Sequence, residues 1–526
     1  MPDSRLAEWA HYEPVPPRCN ITAECLDKRL GAGDGGKIAF VGDSGQLTYA
    51  ELGARVSAFA ANLTASGIGA GDKVLIRTWN CFEFVIAFLA LTKIGAIAVT
   101  QNTAAGLSDV EYVLGHADAV AAIALDEQAA PLRDLKHRLP KGLIVAHGVK
   151  AGERCFEDMI ASGSIATADT ASDAPAFMCY TSGTTGRPKG ILHAHRWLIA
   201  RGDANRKRIP PLPGDAVMAA GEWSFISLLG HNVLFPLRNG VTGAAMEGRA
   251  SPEKFLETIG RFRVTVAHAV PTIYRRILAS DDMEKGYDTS SLRGCNASGE
   301  ALGAATLAAW KRRFGVDIWE HYGVSEMQLA ISNSPEAPIK PGSIGVAWGA
   351  DCRIMDDDHN EMPAGKIGQL VIRADNPSFF LGYHKDPEKT AEVVHSGWYH
   401  TGDLAWRDED GYFWIAGRND DCFKSRGILI VPVEIENALR QHPDVAEACV
   451  VPSPHPQDGN HIRAVVELKG GRAASPALVE ELRSFLKDKI QRNKVPQMVE
   501  FVDALPKSAI GKVLRREVIA SGPARG

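Results

Sequence analysis

Residues 180–190 read YTSGTTGRPKG, a run of small hydroxyl residues and glycines closed by a lysine. This composition suits a loop that grips phosphate. Gly183, Gly186 and Gly190 let the backbone approach an anion without a Cβ in the way, Thr181, Ser182, Thr184 and Thr185 offer hydroxyl donors, and Lys189 offers charge. The apolar AFMCY ahead of the loop predicts a buried strand over 176–180, and GILHAH predicts a second strand over 190–195. The Gly-x4-Gly-Lys-Ser/Thr pattern is absent, which excludes the ordinary P-loop NTPase. A flexible Ser/Gly/Thr linker shares the composition, but not the two flanking apolar strands and the Pro-Lys-Gly ending.

Five later segments carry further candidates: SGE at Ser298, Gly299 and Glu300; HYGVSE with His321, Tyr322, Gly323, Ser325 and Glu326; YHTGDL with Asp403; GRNDD with Arg418; and LPKSAIGK ending on Lys512. Taken singly each has an ordinary reading, a turn or a solvated ion pair. As an ordered set behind the 180–190 loop, they resemble the motifs of the adenylate-forming enzymes: acyl-CoA synthetases, carrier-linked adenylation domains and firefly-type luciferases. The resemblance covers nearly the whole chain.

It implies a set of roles. Thr185 and Lys189 handle the phosphates, Tyr322 stacks on adenine, Ser325 touches the α-phosphate and Glu326 binds magnesium, as a flat ring and a hard oxygen ligand should. Ser325 stands where threonine is more usual and keeps the hydroxyl. Asp403 grips the ribose hydroxyls with Arg418, and Lys512 neutralises charge between the acyl carboxylate and the α-phosphate. Asp420 falls at the hinge of the small domain, and Gly427 where backbone lines the pantetheine tunnel. ATP, Mg2+ and coenzyme A follow as substrates and cofactor. The expected activity is ligation of a carboxylic acid to CoA through an acyl-AMP.

Within such ligases, NITAECLDKRL, SGEALG, WEHYGVSEM and KSRGILIVPVEIE look closest to the benzoate, 2-aminobenzoate and medium-chain branch. The acid pocket is expected from Trp223, Phe225, Ile226, Ser227, His231, His268, Ser298 and His321. Ser227 stands where benzoate-type ligases often have an aromatic residue, which points to a polar or enlarged site. His231 and His268 read either as contacts to a ring substituent or as structural histidines. An aromatic acid is expected; medium-chain or alicyclic acids, an acyl-AMP synthetase serving a separate carrier, and a luciferase-like oxygenase are the alternatives.

These residues need a scaffold of matching kind. Thr48 and Glu51 predict a capping box, with Leu52, Val56, Phe59, Ala60 and Leu63 on one helical face and Gly67 as the stop. The strand DKVLIR follows, and the alternation recurs as FEFVIAFLALTKIG then AIAVTQN and as SPEKFLETIGRFR then VTVAHAVPT. Residues 150–175 read as a surface connection. Beyond residue 416 short strands and a helix capped by Ser475 take over. The expected fold is α/β: a large multi-layer N-terminal domain with parallel and mixed sheets over 1–419, and a small mobile α+β C-terminal domain over 420–526.

Composition narrows the partners. The 526 residues carry a net charge of −5, and no Lys/Arg stripe suits nucleic acid or an anionic membrane. The most apolar stretch, 85–99, contains Lys93 and is too short to span a bilayer. The nine cysteines lack a C-x-x-C pair, and no apolar leader opens the chain. A cytoplasmic enzyme with small-molecule partners is expected, with a homodimer left open.

Overall fold

The computed structural model describes residues 11–181, 187–280, 282–299, 302–456, 459–470, 472–507 and 513–522. Thr48 accepts a hydrogen bond from Glu51 N, and the Glu51 carboxylate accepts one from Thr48 N at 2.8 Å, so α1 (Tyr49–Ala65) starts on the predicted capping box. Leu52, Val56, Phe59, Ala60 and Leu63 are all buried. Next, α2 (Phe82–Lys93) is enclosed along both faces and runs into the strand Ile97–Thr100. No helix among the described residues is long and apolar enough to cross a membrane.

Among the described residues the strands form sheets of eight, nine and five strands, a two-stranded hairpin and a three-stranded sheet. In the eight-stranded sheet, Lys73–Arg77, Ile97–Thr100, Ala119–Leu125 and Leu143–Ala146 run parallel, joined by β1 (Pro175–Thr181). The chain then reverses: β2 (Lys189–Ala194) pairs antiparallel with β1. α3 (Trp197–Arg208) crosses to the second sheet, in which β3 (Ala216–Ala219), β4 (Val266–Ala269), β5 (Gly294–Ala297) and β6 (Ile318–Tyr322) are successive parallel neighbours. Parallel strands bring their C-terminal ends to one edge, and there Ser298 and the 321–326 segment emerge side by side.

The remaining strands complete the mixed α/β pattern. β7 (Gly382–Tyr383) returns to pair with β2, while β8 (Trp398–Arg407) and β9 (Phe413–Arg418) pair antiparallel in the five-stranded sheet. From β10 (Phe423–Ser425) onward the chain has a core of its own: Ile430, Ile435, Leu439, Val450, Ile462, Ala464, Leu482 and Leu486 pack together. They come from β11 (Ile428–Ile430), α4 (Pro432–Leu439), β12 (Val445–His455), β13 (Gly459–Leu468) and α5 (Pro476–Lys487). The Ser475 hydroxyl accepts from Leu478 N at 3.2 Å, the predicted cap of α5.

The 150–175 stretch differs from expectation. It holds a two-residue strand, Arg154–Cys155, and a short helix, Phe156–Ala161. Phe156 stacks into α1 with its ring 4.5 Å from that of Phe59. One buried aromatic anchors a segment whose average composition reads as surface loop.

Candidate active site

Thr181 and Lys189 face each other as the last described register pair of the β1–β2 hairpin. Ser182, Gly183, Thr184, Thr185 and Gly186 lie outside the described residues, as do Glu300 and Lys512. A Cβ on Gly190 would lie 2.7 Å from Met178 Sδ and 3.2 Å from the Tyr180 ring, so packing explains this glycine. Lys189 Nζ sits 5.3 Å from the centre of the Tyr383 ring.

On β2, His193 donates from Nε2 to the Ser325 carbonyl at 2.9 Å. Burial pushes its pKa down to about 3, so the ring is neutral and carries its proton on the nitrogen that bonds Ser325. β2 thereby pins the motif that follows β6.

After β6 the chain turns back sharply, with Gln328 and Leu329 in left-handed conformation at φ 59° and 46°. Gly323 has no room for a side chain: a Cβ would lie 2.3 Å from Leu329 N. This tight turn carries Glu326, which is buried and accepts a hydrogen bond from Tyr383 Oη at 2.5 Å. Among the described residues no basic side chain forms an ion pair with it. A buried carboxylate that no basic side chain pairs with offers oxygens of the hard type magnesium prefers.

Asp403 on β8 pairs directly with Arg418 on β9. Tyr322 Oη donates to Asp403 Oδ2 at 2.6 Å, and Arg418 Nη1 reaches Asp403 Oδ1 at 3.4 Å and the Thr401 carbonyl at 3.0 Å. The adenine-side and ribose-side candidates are therefore one hydrogen-bonded unit. Burial and the adjacent Asp403 raise the Tyr322 pKa well above its usual value, which keeps the hydroxyl protonated as a donor.

The acid-pocket candidates divide. Ser227 Oγ lies 3.4 Å from both Ser298 Oγ and His321 Nε2, Ser298 Oγ lies 3.2 Å from His268 Nε2, and the rings of His231, His268 and His321 are 4.5–5.1 Å apart between centres. His231 sits on a π-helical turn, Gly230–Leu234, between the helical segments Ile226–Leu229 and Phe235–Asn239. Trp223 belongs elsewhere: it is fully buried in the core, edge-on to Phe40 and Phe84, with Nε1 donating to Asn232 Oδ1 at 2.9 Å. Ile226 is buried in that same core, and the half-buried Phe225 packs against it.

Comparison with known proteins decides the family. Residues 28–384 match the family described as AMP-binding enzyme, and residues 434–512 match the AMP-binding enzyme C-terminal domain. The chain belongs to the AMP-binding enzyme family. It is 34% identical to the benzoate–CoA ligase of Thauera aromatica over 95% of this chain and 96% of that protein. The 3-hydroxybenzoate–CoA ligase of Aromatoleum sp. (strain CIB) is 30% identical over 96% of this chain and 97% of its own length. The crystal structure of the anthranilate CoA ligase AuaEII in complex with anthranoyl-AMP superposes with a TM-score of 0.89 at 31% identity, covering 97% of this chain and 98% of that one. The adenylate-forming fold expected from the motifs is thus the fold of this AMP-binding enzyme.

In this family member the 418–427 stretch joins the two cores. Arg418, bonded to Asp403 on one side, lies 3.6 Å from Asp420, whereas the neighbouring Asp421 pairs at 3.3 Å with Arg515, which in turn pairs with Glu436 at 2.7 Å. Consecutive carboxylates are tied in opposite directions, and Asp420 itself is 68% exposed. Gly427 has φ 79° beside Arg426 at 51°, the two-residue turn of the β10–β11 hairpin, and open space surrounds its missing Cβ. Turn geometry alone accounts for glycine there.

Several residues of this AMP-binding enzyme's site carry no motif signal. α3 aligns Trp197, Arg201 and Arg208 on one face; Trp197 Nε1 bonds the Met327 carbonyl at 3.2 Å, and Arg201 donates to the carbonyls of Leu329, Trp348 and Gly349. The run RGDANRKR looks solvated, yet both arginines are fully buried. Their spacing with Trp197 was the available clue.

Proposed function

We propose that the protein is an ATP-dependent acid–CoA ligase acting on an aromatic acid, with AMP and pyrophosphate as products. The observation that carries the nucleotide part is the continuous Tyr322–Asp403–Arg418 unit near the buried Glu326, in a segment that β2 holds through His193. The acid class is supported by similarity to proteins named for benzoate, 3-hydroxybenzoate and anthranilate. Residues 1–419 bind ATP and acid, and 420–526 turn about Asp420; the two family matches end at 384 and resume at 434, leaving that pivot between them. The nine cysteines are all unpaired, in keeping with a reducing cytoplasm.

In the proposed chemistry an oxygen of the acid carboxylate attacks the α-phosphorus of ATP, pyrophosphate leaves, and an acyl-AMP remains. Glu326 would hold a magnesium ion, which when bound offsets phosphate charge. The 180–190 loop with Lys189 holds the departing phosphates, Ser325 the α-phosphate, and Asp403 with Arg418 the ribose. Lys512 supplies positive charge where negative charge develops. The sulfur of CoA, losing its proton, then attacks the acyl carbon and AMP departs. Release of AMP and pyrophosphate, measured with ATP, benzoate-type acids and CoA, tests this reading, and ADP with phosphate as products would refute it.

Two consequences follow for single residues. Asp403→Ala is expected to raise the KM for ATP by on the order of 10-fold or more, because hydrogen bonds to a charged group contribute about 1.5–3 kcal/mol. An ATP titration with KM within twofold of wild type would remove Asp403 from the ribose grip. Asp420→Pro fixes φ and removes a backbone donor at the pivot, so thioester formation from supplied acyl-adenylate should fall while the fold persists. Unimpaired thioester formation in a folded variant would place the pivot elsewhere.

A further inference from the structure

Arg208 is fully buried, and among the described residues no carboxylate pairs with it. Neutral acceptors surround it instead: Asn205 Oδ1, Asn296 Oδ1 and Ser332 Oγ, each at 3.0 Å, and His231 Nε2 at 3.1 Å. A guanidinium only donates, so His231 Nε2 must accept, and its proton sits on Nδ1. The other side of the ring agrees, for Nδ1 lies 2.8 Å from the Ser227 carbonyl, which can only accept, and the Gln328 amide 3.0 Å from Nδ1 then turns its oxygen to it.

Burial and the Arg208 charge together keep His231, His268 and His321 neutral, His268 with a pKa near 3. The surroundings leave polar atoms over. His268 Nδ1, His321 Nδ1 and one atom of the Gln328 amide are buried without a hydrogen-bond partner, although each costs free energy in that state. These side chains are not close-packed filler on every side either, since a small cavity of about 40 Å³ borders His231, His268 and Asn296.

The ring nitrogens of the three histidines lie within 4.8 Å of one another, a spacing a transition metal could use. His231 argues against it, because both of its nitrogens are committed and a cation already abuts Nε2. What fits is a polar group arriving on the substrate. We infer that the acid carries a hydrogen-bonding substituent, such as a ring hydroxyl or amino group, that settles against His231, His268 and His321, and that these histidines determine specificity. This rests on the acid–CoA ligase reading and names the substrate class for that site. Arg208 acts through His231 as a positioning residue.

The test compares matched acids: 2-, 3- and 4-hydroxybenzoate and 2-aminobenzoate against the corresponding methylbenzoates, followed by pyrophosphate release. A methyl group occupies nearly the volume of a hydroxyl but leaves the histidines unpaired. The best polar acid is expected to exceed its methyl counterpart by on the order of 10²-fold or more in kcat/KM, as in sites built to hydrogen-bond their substrate. In His268→Phe that ratio should collapse to within about fivefold, with thermal melting reporting whether the variant folds; if it does not, the wild-type ratio decides alone. Methylbenzoates matching or beating their polar counterparts overturn the inference while the ligase reading stands. Pyrophosphate release with none of the acids overturns both. One equivalent of transition metal retained through purification and lost in His231→Ala would overturn it in favour of a metal site.

Discussion

Lys512→Ala should slow adenylation by on the order of 10²-fold or more while leaving thioester formation from preformed acyl-adenylate and CoA near the wild-type rate. The first effect is the usual cost of removing a charge aimed at a transition state. The second follows from the proposed pivot at Asp420: the 420–526 unit must turn away for CoA to reach the adenylate, and its lysine goes with it. The two half-reactions are separable in the laboratory, by pyrophosphate exchange and by thioester release from a synthetic adenylate. Equal loss in both would show that Lys512 stabilises the fold or serves both steps, and the two-conformation scheme would fall.

Arg201→Met is expected to be the most damaging change away from the substrates. Arg201 is fully buried and its guanidinium satisfies the carbonyls of Leu329, Trp348 and Gly349. Each stranded buried carbonyl costs about 1–3 kcal/mol, and relief from burying a cation returns only part of that, so a loss of roughly 3 kcal/mol is expected. Leu329 holds a left-handed backbone in the turn that carries Tyr322, Ser325 and Glu326, so adenylation should fall with stability. Lysine should not rescue, since a single ammonium cannot span carbonyls that a planar fork reaches together. A urea midpoint equal to wild type would show that the turn holds itself.

Much of the scaffold was legible because its signals are local. The Thr48–Glu51 box, the Ser475 cap and the apolar strand ahead of the 180–190 loop each depend on residues a few positions apart. Trp223 shows the limit of such reading. Its neighbourhood in sequence is the acid-pocket segment, but a side chain next to a turn can face either way, and this one packs against Phe40 and Phe84. Helix Phe156–Ala161 was missed for a related reason: a composition average hides one aromatic with a partner 97 residues earlier, Phe59.

The motifs and their order determined the kind of chemistry, since phosphate, ribose and a hard cation each need particular donors, and those donors stand in recognisable short segments. Their joining is another matter. Tyr322 and Asp403 lie 81 positions apart, His193 and Ser325 lie 132 apart, and nothing in either segment says that the members bond. His231, His268 and His321 meet because a π-helical turn and the ends of β4 and β6 converge at one sheet edge, and Arg208 sets the protonation of His231 from a helix whose sequence reads as solvent-facing. Residue types and short spacings are properties of the chain, whereas burial, tautomer and hydrogen-bond partner arise only when distant elements pack and exclude water, and in this protein those three quantities shape the proposed acid site.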